Sequence, residues 1–141
     1  MGVDFARLRR HASHYAECLI RLIAEGMSMG LSGAPEFEVD VHQAKDMIDN
    51  GEVTVVDVRT QFHAPAMPNV EYIALEDILA RPSEVIPTGK PVLFICNVGQ
   101  ASGVATQMAK ALNVVDAYNM QGGMTAWAEA GYETEKPPAT H

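Results

Sequence analysis

The sequence predicts an α/β domain with a doubly wound, mostly parallel central sheet flanked by helices, and an extra amphipathic helix at the amino terminus. Three observations predict it. From Glu36 onward, short β-branched and apolar runs alternate with helix-length stretches, the order that builds a parallel sheet. The run Pro91 to Ile95 is apolar throughout, as in a strand covered on both faces. A Gly- and Ser-rich stretch separates this pattern from the residues before it.

The first element spans Asp4 to about Glu25. Phe5, Leu8, Ala12, Tyr15, Leu19 and Leu22 recur at steps of three and four, which gathers them on one stripe, with Arg7, Arg9, Arg10, Glu17 and Arg21 elsewhere. Such a stripe must be buried. At about three heptads it is short for a free-standing coiled coil, so it packs within the protomer or forms a small homodimer interface. His11 and His14, three apart, read as surface histidines rather than half of a metal site. The glycines and serines of residues 26–35 mark a linker, which divides the chain into residues 1–34 and residues 35–141.

Phe37 to Val39 is the first predicted strand. Asp40 caps a helix over Val41 to Asn50, Gln43 completes a capping box, and Gly51 closes the far end. Val53 to Val58 is the next strand, with Asp57 and Arg59 at its carboxyl end. Residues 60–68 read as a loop, Glu71 to Ala74 as a weak strand, Leu75 to Ala80 as a short helix and Arg81 to Lys90 as a connector with two prolines. The apolar strand ending at Ile95 is followed by Cys96, a small polar loop and a helix over Ser102 to Leu112. Val114 to Tyr118 is the last strand, Gly122-Gly123 turns the chain, and Met124 to Ala130 is a helix stopped by Gly131. Lys136 to His141 read as a frayed tail.

Composition removes several function classes. A formal charge of −8 argues against nucleic acid and anionic membranes as partners, because both need a basic surface. With only Cys18 and Cys96 there is no disulfide framework and no cysteine-built metal site, and free thiols suit a reducing compartment. No run is long enough to span a bilayer, and arginines and histidines interrupt the amino terminus where a signal peptide would need apolar residues. The expectation is a soluble cytoplasmic protein that uses neither metal nor cofactor.

Chemistry concentrates at Cys96. If its strand is parallel to its neighbours, the thiol stands at a carboxyl end, where open α/β sheets place their sites, and faces the amino terminus of the following helix. Unpaired N–H groups there favour the thiolate, the form that attacks. Taken alone, the stretch is equally consistent with a small buried hydrophobe ending its strand.

The order of elements, the Asp57-Val58-Arg59 strand end, the loop from Cys96 to Ser102 and the closing Gly122-Gly123-Met124-Thr125-Ala126-Trp127 together resemble a single-domain rhodanese, a sulfurtransferase family. The resemblance covers about Phe37 to Tyr132. Residues 61–69 keep step with it, lying where the family has an acidic-aromatic pair and then a Gly-His-Ile-Pro-Gly-like turn. It implies that Cys96 is a nucleophile which takes a sulfane sulfur from a donor, holds it as a persulfide and passes it to a thiol or protein acceptor. The backbone N–H groups of Asn97, Val98, Gly99, Gln100, Ala101 and Ser102 would curl around the charged sulfur and bind the substrate. Gly99 falls where the family's Cys-x-x-Gly-x-Arg loop needs backbone freedom.

The departures are informative. Ala101 stands where that loop carries an arginine, and Asn97, Val98 and Gln100 bring no charge either. Thiosulfate is thereby disfavoured, and a persulfide, a polysulfide or a partner protein's cysteine is favoured as donor. Gln61, Pro65 and Ala66 likewise replace the family's Glu, Gly and His. Phosphatases and arsenate reductases of related fold use a longer loop with an arginine, which this loop lacks. Arg59 either leans toward the cysteine loop or pairs with Asp57, and Asp57 is expected to accept hydrogen bonds from loop N–H groups. Trp127 reads as a core anchor and Cys18 as packing rather than a resolving thiol. Two functions follow: a sulfur-carrying enzyme, or an interaction module that has kept the fold and lost turnover.

Overall fold

The structure, a computed structural model, describes residues 37–139. The predicted amino-terminal helix with its dimer seam, His11, His14 and Cys18, most of the linker, and the end of the tail lie outside the described residues. The elements in chain order are β1 (Glu38–Val39), α1 (Val41–Asp49), β2 (Thr54–Asp57), β3 (Glu71–Tyr72), α2 (Leu75–Ala80), α3 (Pro82–Val85), β4 (Val92–Ile95), α4 (Gln100–Ala111), β5 (Ala117–Met120) and α5 (Gly123–Glu129). The strands form one sheet in the order β1-β5-β4-β2-β3, and every pair in it is parallel.

β4 lies at the centre, and all four of its side chains are fully buried. Burial of each such side chain contributes about 1.5–3 kcal/mol. Successive residues face opposite sides of the sheet. Leu93 and Ile95 join the apolar cluster of Val41 and Ala44 on α1 and Met124 and Trp127 on α5. Val92 and Phe94 therefore face the other layer, where α2 packs on α4.

The topology positions the site. The chain leaves β2 toward β3 on one side and leaves β4 toward β5 on the other, although β2 and β4 are neighbours in register from Thr54↔Val92 to Asp57↔Ile95. That divergence is a switch point, and the crevice above it is where a ligand fits between diverging loops. Asp57 and Cys96 both sit at its edge.

Local chemistry sets most element ends. Asp40 accepts from the Gln43 N–H at 2.7 Å while Gln43 accepts from the Asp40 N–H at 2.9 Å, the predicted capping box. Other boundaries move. The last strand runs Ala117–Met120 rather than from Val114 to Tyr118, because α4 ends in a Schellman turn that claims the residues before it. Asn113 takes a left-handed conformation (φ 54°), its N–H bonds Lys110, and Val114 N–H bonds Ala109 at 2.9 Å. The predicted connector contains the one-turn helix α3, started by Pro82 at its first position.

Candidate active site

Cys96 follows β4, and its Sγ accepts hydrogen bonds from the backbone N–H of Gly99 at 3.1 Å and of Ser102 at 3.3 Å. The Ser102 hydroxyl lies 3.2 Å from the same sulfur. The residue is 2% exposed, and it lines an open cavity of about 350 Å³ in the switch-point crevice, together with His63, Leu75, Asn97, Val98 and Ala101. Cys96 is thus small in exposed area yet lines a cavity open to solvent.

The predicted ring of six amides narrows to two within bonding distance of the sulfur. The reason is that α4 begins at Gln100, two residues earlier than the sequence suggested. Gln100 and Ala101 become the first two residues of a helix, whose N–H groups have no intrahelical acceptor, and both residues line the cavity. Gly99 makes the turn into that helix at φ 97°, and a Cβ there would lie 3.2 Å from the Gly122 backbone nitrogen and 3.3 Å from the Met120 carbonyl. Val98, at the loop tip, is 55% exposed.

The side chain of Asn97 has a task beyond the one expected of its backbone. Its side-chain oxygen accepts from Arg59 Nη1 and from the His63 N–H, both at 2.9 Å, and its nitrogen donates to the Gln61 carbonyl at 3.0 Å. It pins the cysteine loop to the loop after β2.

Arg59 pairs with Asp57 and also holds the Asn97 side chain in the cysteine loop. Nε and Nη2 donate to the Asp57 carboxylate, the shortest contact being 2.6 Å, while Nη1 reaches Ala64 O and Asn97 Oδ1 and Nη2 reaches Pro65 O. The guanidinium also lies over the Phe62 ring at 4.6 Å. All five N–H donors of the fork are engaged by protein acceptors. The expectation for Asp57 is corrected accordingly: it accepts from the Arg59 side chain and from the Arg59 N–H at 3.0 Å, not from the cysteine loop. A buried carboxylate needs a charge partner, and Arg59 is two residues away on the same strand end.

Two groups of residues were missed. The Gly122-Gly123 pair, read as a turn, also clamps the cysteine loop: Met124 N–H bonds the Cys96 carbonyl at 2.8 Å and Thr125 N–H the Asn97 carbonyl at 3.1 Å. The second group, Asn119 and Glu38, extends from Ser102 as a partly buried chain behind the sulfur. Ser102 donates to Asn119, and Asn119 donates to both oxygens of Glu38 at 3.1 Å. Burial pushes the Glu38 carboxyl above its ordinary range, partly opposed by hydrogen bonds from Asn119 and Gln121. A polar residue on an otherwise buried strand was the available signal for Asn119. Trp127 is a core anchor as expected, 3% exposed, with its indole N–H on the Glu133 carbonyl at 2.8 Å.

Among the described residues, no three His, Cys, Asp or Glu side chains come together as a metal-ligand set, and no helix is long and apolar enough to cross a membrane. A parallel strand, a cysteine, a short amide loop and a helix at a switch point define a cysteine-loop α/β domain. The chain belongs to the rhodanese-like domain family, whose model matches residues 40–130.

Curated relatives include the thiosulfate sulfurtransferase GlpE of Pseudoalteromonas translucida, 27% identical over 96 residues that cover 67% of this chain and 90% of the relative. The thiosulfate sulfurtransferase GlpE of Actinobacillus pleuropneumoniae is 25% identical over 99 residues, covering 70% and 92%. Among solved structures, a rhodanese-like domain protein from Staphylococcus aureus superposes with a TM-score of 0.55 at 26% identity, covering 70% of this chain and 97% of that one. A rhodanese-related protein from Thermoplasma volcanium shares the fold with a TM-score of 0.59 at 22% identity, over 68% of this chain and 94% of that one.

Proposed function

We propose that this domain is a sulfurtransferase that carries a sulfane sulfur as a persulfide on Cys96 and hands it to a thiol or protein acceptor. The observation that carries the reading is a cysteine that lines an open cavity and whose sulfur accepts from two backbone N–H groups at a helix start. In the first step the Cys96 thiolate attacks the sulfane sulfur of R–S–S⁻. The donor's S–S bond breaks, RS⁻ leaves with the bonding pair and is protonated by solvent, and the new terminal sulfur carries the negative charge. That charge develops beside the N–H groups of the first helical turn, which stabilise an anion without reorganising. In the second step an acceptor thiolate attacks the terminal sulfur, and Cys96 leaves as the thiolate. The cycle is redox-neutral and needs no metal or cofactor.

The donor class follows from charge. Arg59 has no N–H left to offer, its charge is matched by Asp57, and Ala101 supplies none. The site therefore suits a persulfide, a polysulfide or a partner protein's persulfidated cysteine better than the thiosulfate dianion. A free thiol with this role suits the reducing cytoplasm. In this reading residues 35–141 form the transfer unit, and residues 1–34 are an attached helix and linker.

Treated with glutathione persulfide, the protein is expected to gain the mass of one sulfur atom on the Cys96 peptide, and Cys96→Ser to gain none on that peptide. Failure to load from glutathione persulfide, polysulfide and thiosulfate alike would sink the enzyme and leave the interaction module. The charge argument has its own test. Ala101→Arg is expected to raise thiosulfate turnover by about tenfold or more, the worth of a charge-assisted hydrogen bond to an anion. Unchanged turnover would show that a missing cation is not what limits that donor.

A further inference from the structure

Asn119 sits on β5, opposite Glu38 of β1 and beside Phe94 of β4, and is buried. Its side-chain nitrogen lies 3.1 Å from each Glu38 carboxylate oxygen and 3.0 Å from the Gly99 carbonyl. A carbonyl and an ionised carboxylate only accept, so the nitrogen must face them and the amide cannot be turned the other way. The amide oxygen then faces Ser102 Oγ at 2.5 Å. Two oxygens this close need a proton between them, and an amide oxygen has none to give, so the Ser102 hydroxyl proton is the one there.

That assignment determines what Ser102 shows to the nucleophile. With its proton committed to Asn119, Oγ turns lone pairs toward Cys96 Sγ, 3.2 Å away. A thiol satisfies the contact by donating its S–H. A thiolate meets an oxygen lone pair until the serine proton swings from Asn119 to the sulfur. How readily it swings depends on how strongly the Asn119 oxygen holds it. An ionised Glu38 pulls on the amide N–H, polarises the group and strengthens its oxygen as an acceptor, because hydrogen bonds in a chain reinforce one another.

We propose that Glu38, Asn119 and Ser102 form a positioning relay that sets whether the Ser102 hydroxyl accepts from the Cys96 sulfur or donates to it. Charge on Glu38 holds the serine proton on Asn119 and keeps Cys96 a hydrogen-bonded thiol. Loss of that charge releases the proton to the sulfur and readies the nucleophile. The groups that hydrogen-bond Glu38 are the amides of Asn119 on β5 and of Gln121 just after it. Among the described residues, charged groups on the adjoining elements are engaged elsewhere: Asp40 caps α1 through Gln43, and Lys110 of α4 lies over the Phe37 ring. The relay rests on Cys96 being the nucleophile, but it concerns the sulfur's hydrogen bonding and not its substrate.

Alkylation of Cys96 by iodoacetamide in the full chain, followed by mass on the Cys96 peptide so that Cys18 does not contribute, reads that hydrogen bonding. Glu38→Gln keeps the length of the side chain and removes its charge. It is expected to speed alkylation at neutral pH by about threefold or more and to move the pH profile to lower pH. In a Ser102→Ala background the same change is expected to have no effect, since the proton it would release is gone. Equal acceleration in both backgrounds would mean that Glu38 acts through space, and no acceleration in either would mean that it does not act; both overturn the relay. If Ser102→Ala does not fold, Asn119→Ser breaks the chain one link further out and carries the same comparison. Absence of sulfur loading with this coupling intact would count against the proposed activity and leave the relay standing.

Discussion

Arg59→Leu is expected to lower the stability of the domain by about 3–5 kcal/mol, the usual cost of removing one partner from a buried ion pair. The side chains of Arg59 and Asp57 are 2% and 0% exposed, so water does not replace the lost guanidinium. Asp57 would keep only the backbone N–H of residue 59 at 3.0 Å. Domains of this size are stable by roughly 5–15 kcal/mol, so the variant sits near the threshold for folding. The same change leaves the carbonyls of Ala64 and Pro65 without this donor and removes one of the three bonds by which Asn97 ties the cysteine loop to the loop after β2, and so loosens that junction. Urea denaturation measures the first effect and sulfur loading of Cys96 the second. Arg59→Lys keeps the charge but loses the planar fork, and its stability is expected to fall between the two. A loss below about 1 kcal/mol for Arg59→Leu would show that Asp57 does not depend on this partner.

The second large effect is expected from Gly123→Ala. Gly123 has φ +60°, and a Cβ there would stand 2.6 Å from the carbonyl oxygens of Cys96 and Asn97 and from the Asn97 carbonyl carbon. These are backbone atoms that cannot swing aside, so the junction must open. Opening it forfeits the bonds from Met124 N–H to Cys96 O and from Thr125 N–H to Asn97 O. Left-handed backbone at a residue with a side chain costs about 1–2 kcal/mol and each lost hydrogen bond about 1 kcal/mol, so a loss of about 3 kcal/mol is expected. Sulfur loading should fall at least about tenfold, because a displacement of about 1 Å can cost a hundredfold. Gly131→Ala is the control: φ is +85°, but nothing lies within 4 Å of its Cβ. Equal losses for the two variants would show that backbone conformation, and not the close approach, accounts for the effect.

The legible parts of the fold are those with a local physical signature. An apolar run between Pro91 and Cys96 has one comfortable home, the middle of a parallel sheet, and β4 occupies it. Asp40 with Gln43 three residues on marks a helix start from the hydrogen-bonding capacity of those two side chains alone. Val114 and Val115 show where such reasoning misleads. Their β-branched side chains suggest a strand, but Asn113 accepts a left-handed turn and the register with β4 starts at Ala117. Propensity is a weak preference, and pairing with an already buried neighbour overrides it.

The site divides along the same line. The cysteine, its glycine and the absence of an arginine at residue 101 could be read directly, since the order of residues along a short loop limits what the loop can do. The partners of Asn97, Arg59 and Asn119 could not. Asn97 meets Arg59 across 38 residues, and Asn119 meets Glu38 across 81. By itself the sequence determined the α/β class and the central strand, because hydrophobic burial acts over neighbouring residues, and it marked Cys96 as the residue to test. Only the tertiary structure decided which donors face the sulfur, which charges are already matched and what holds the loop in place. Hydrogen bonds and ion pairs depend on ångström-scale geometry between distant segments, and that geometry exists only once the sheet has brought them together.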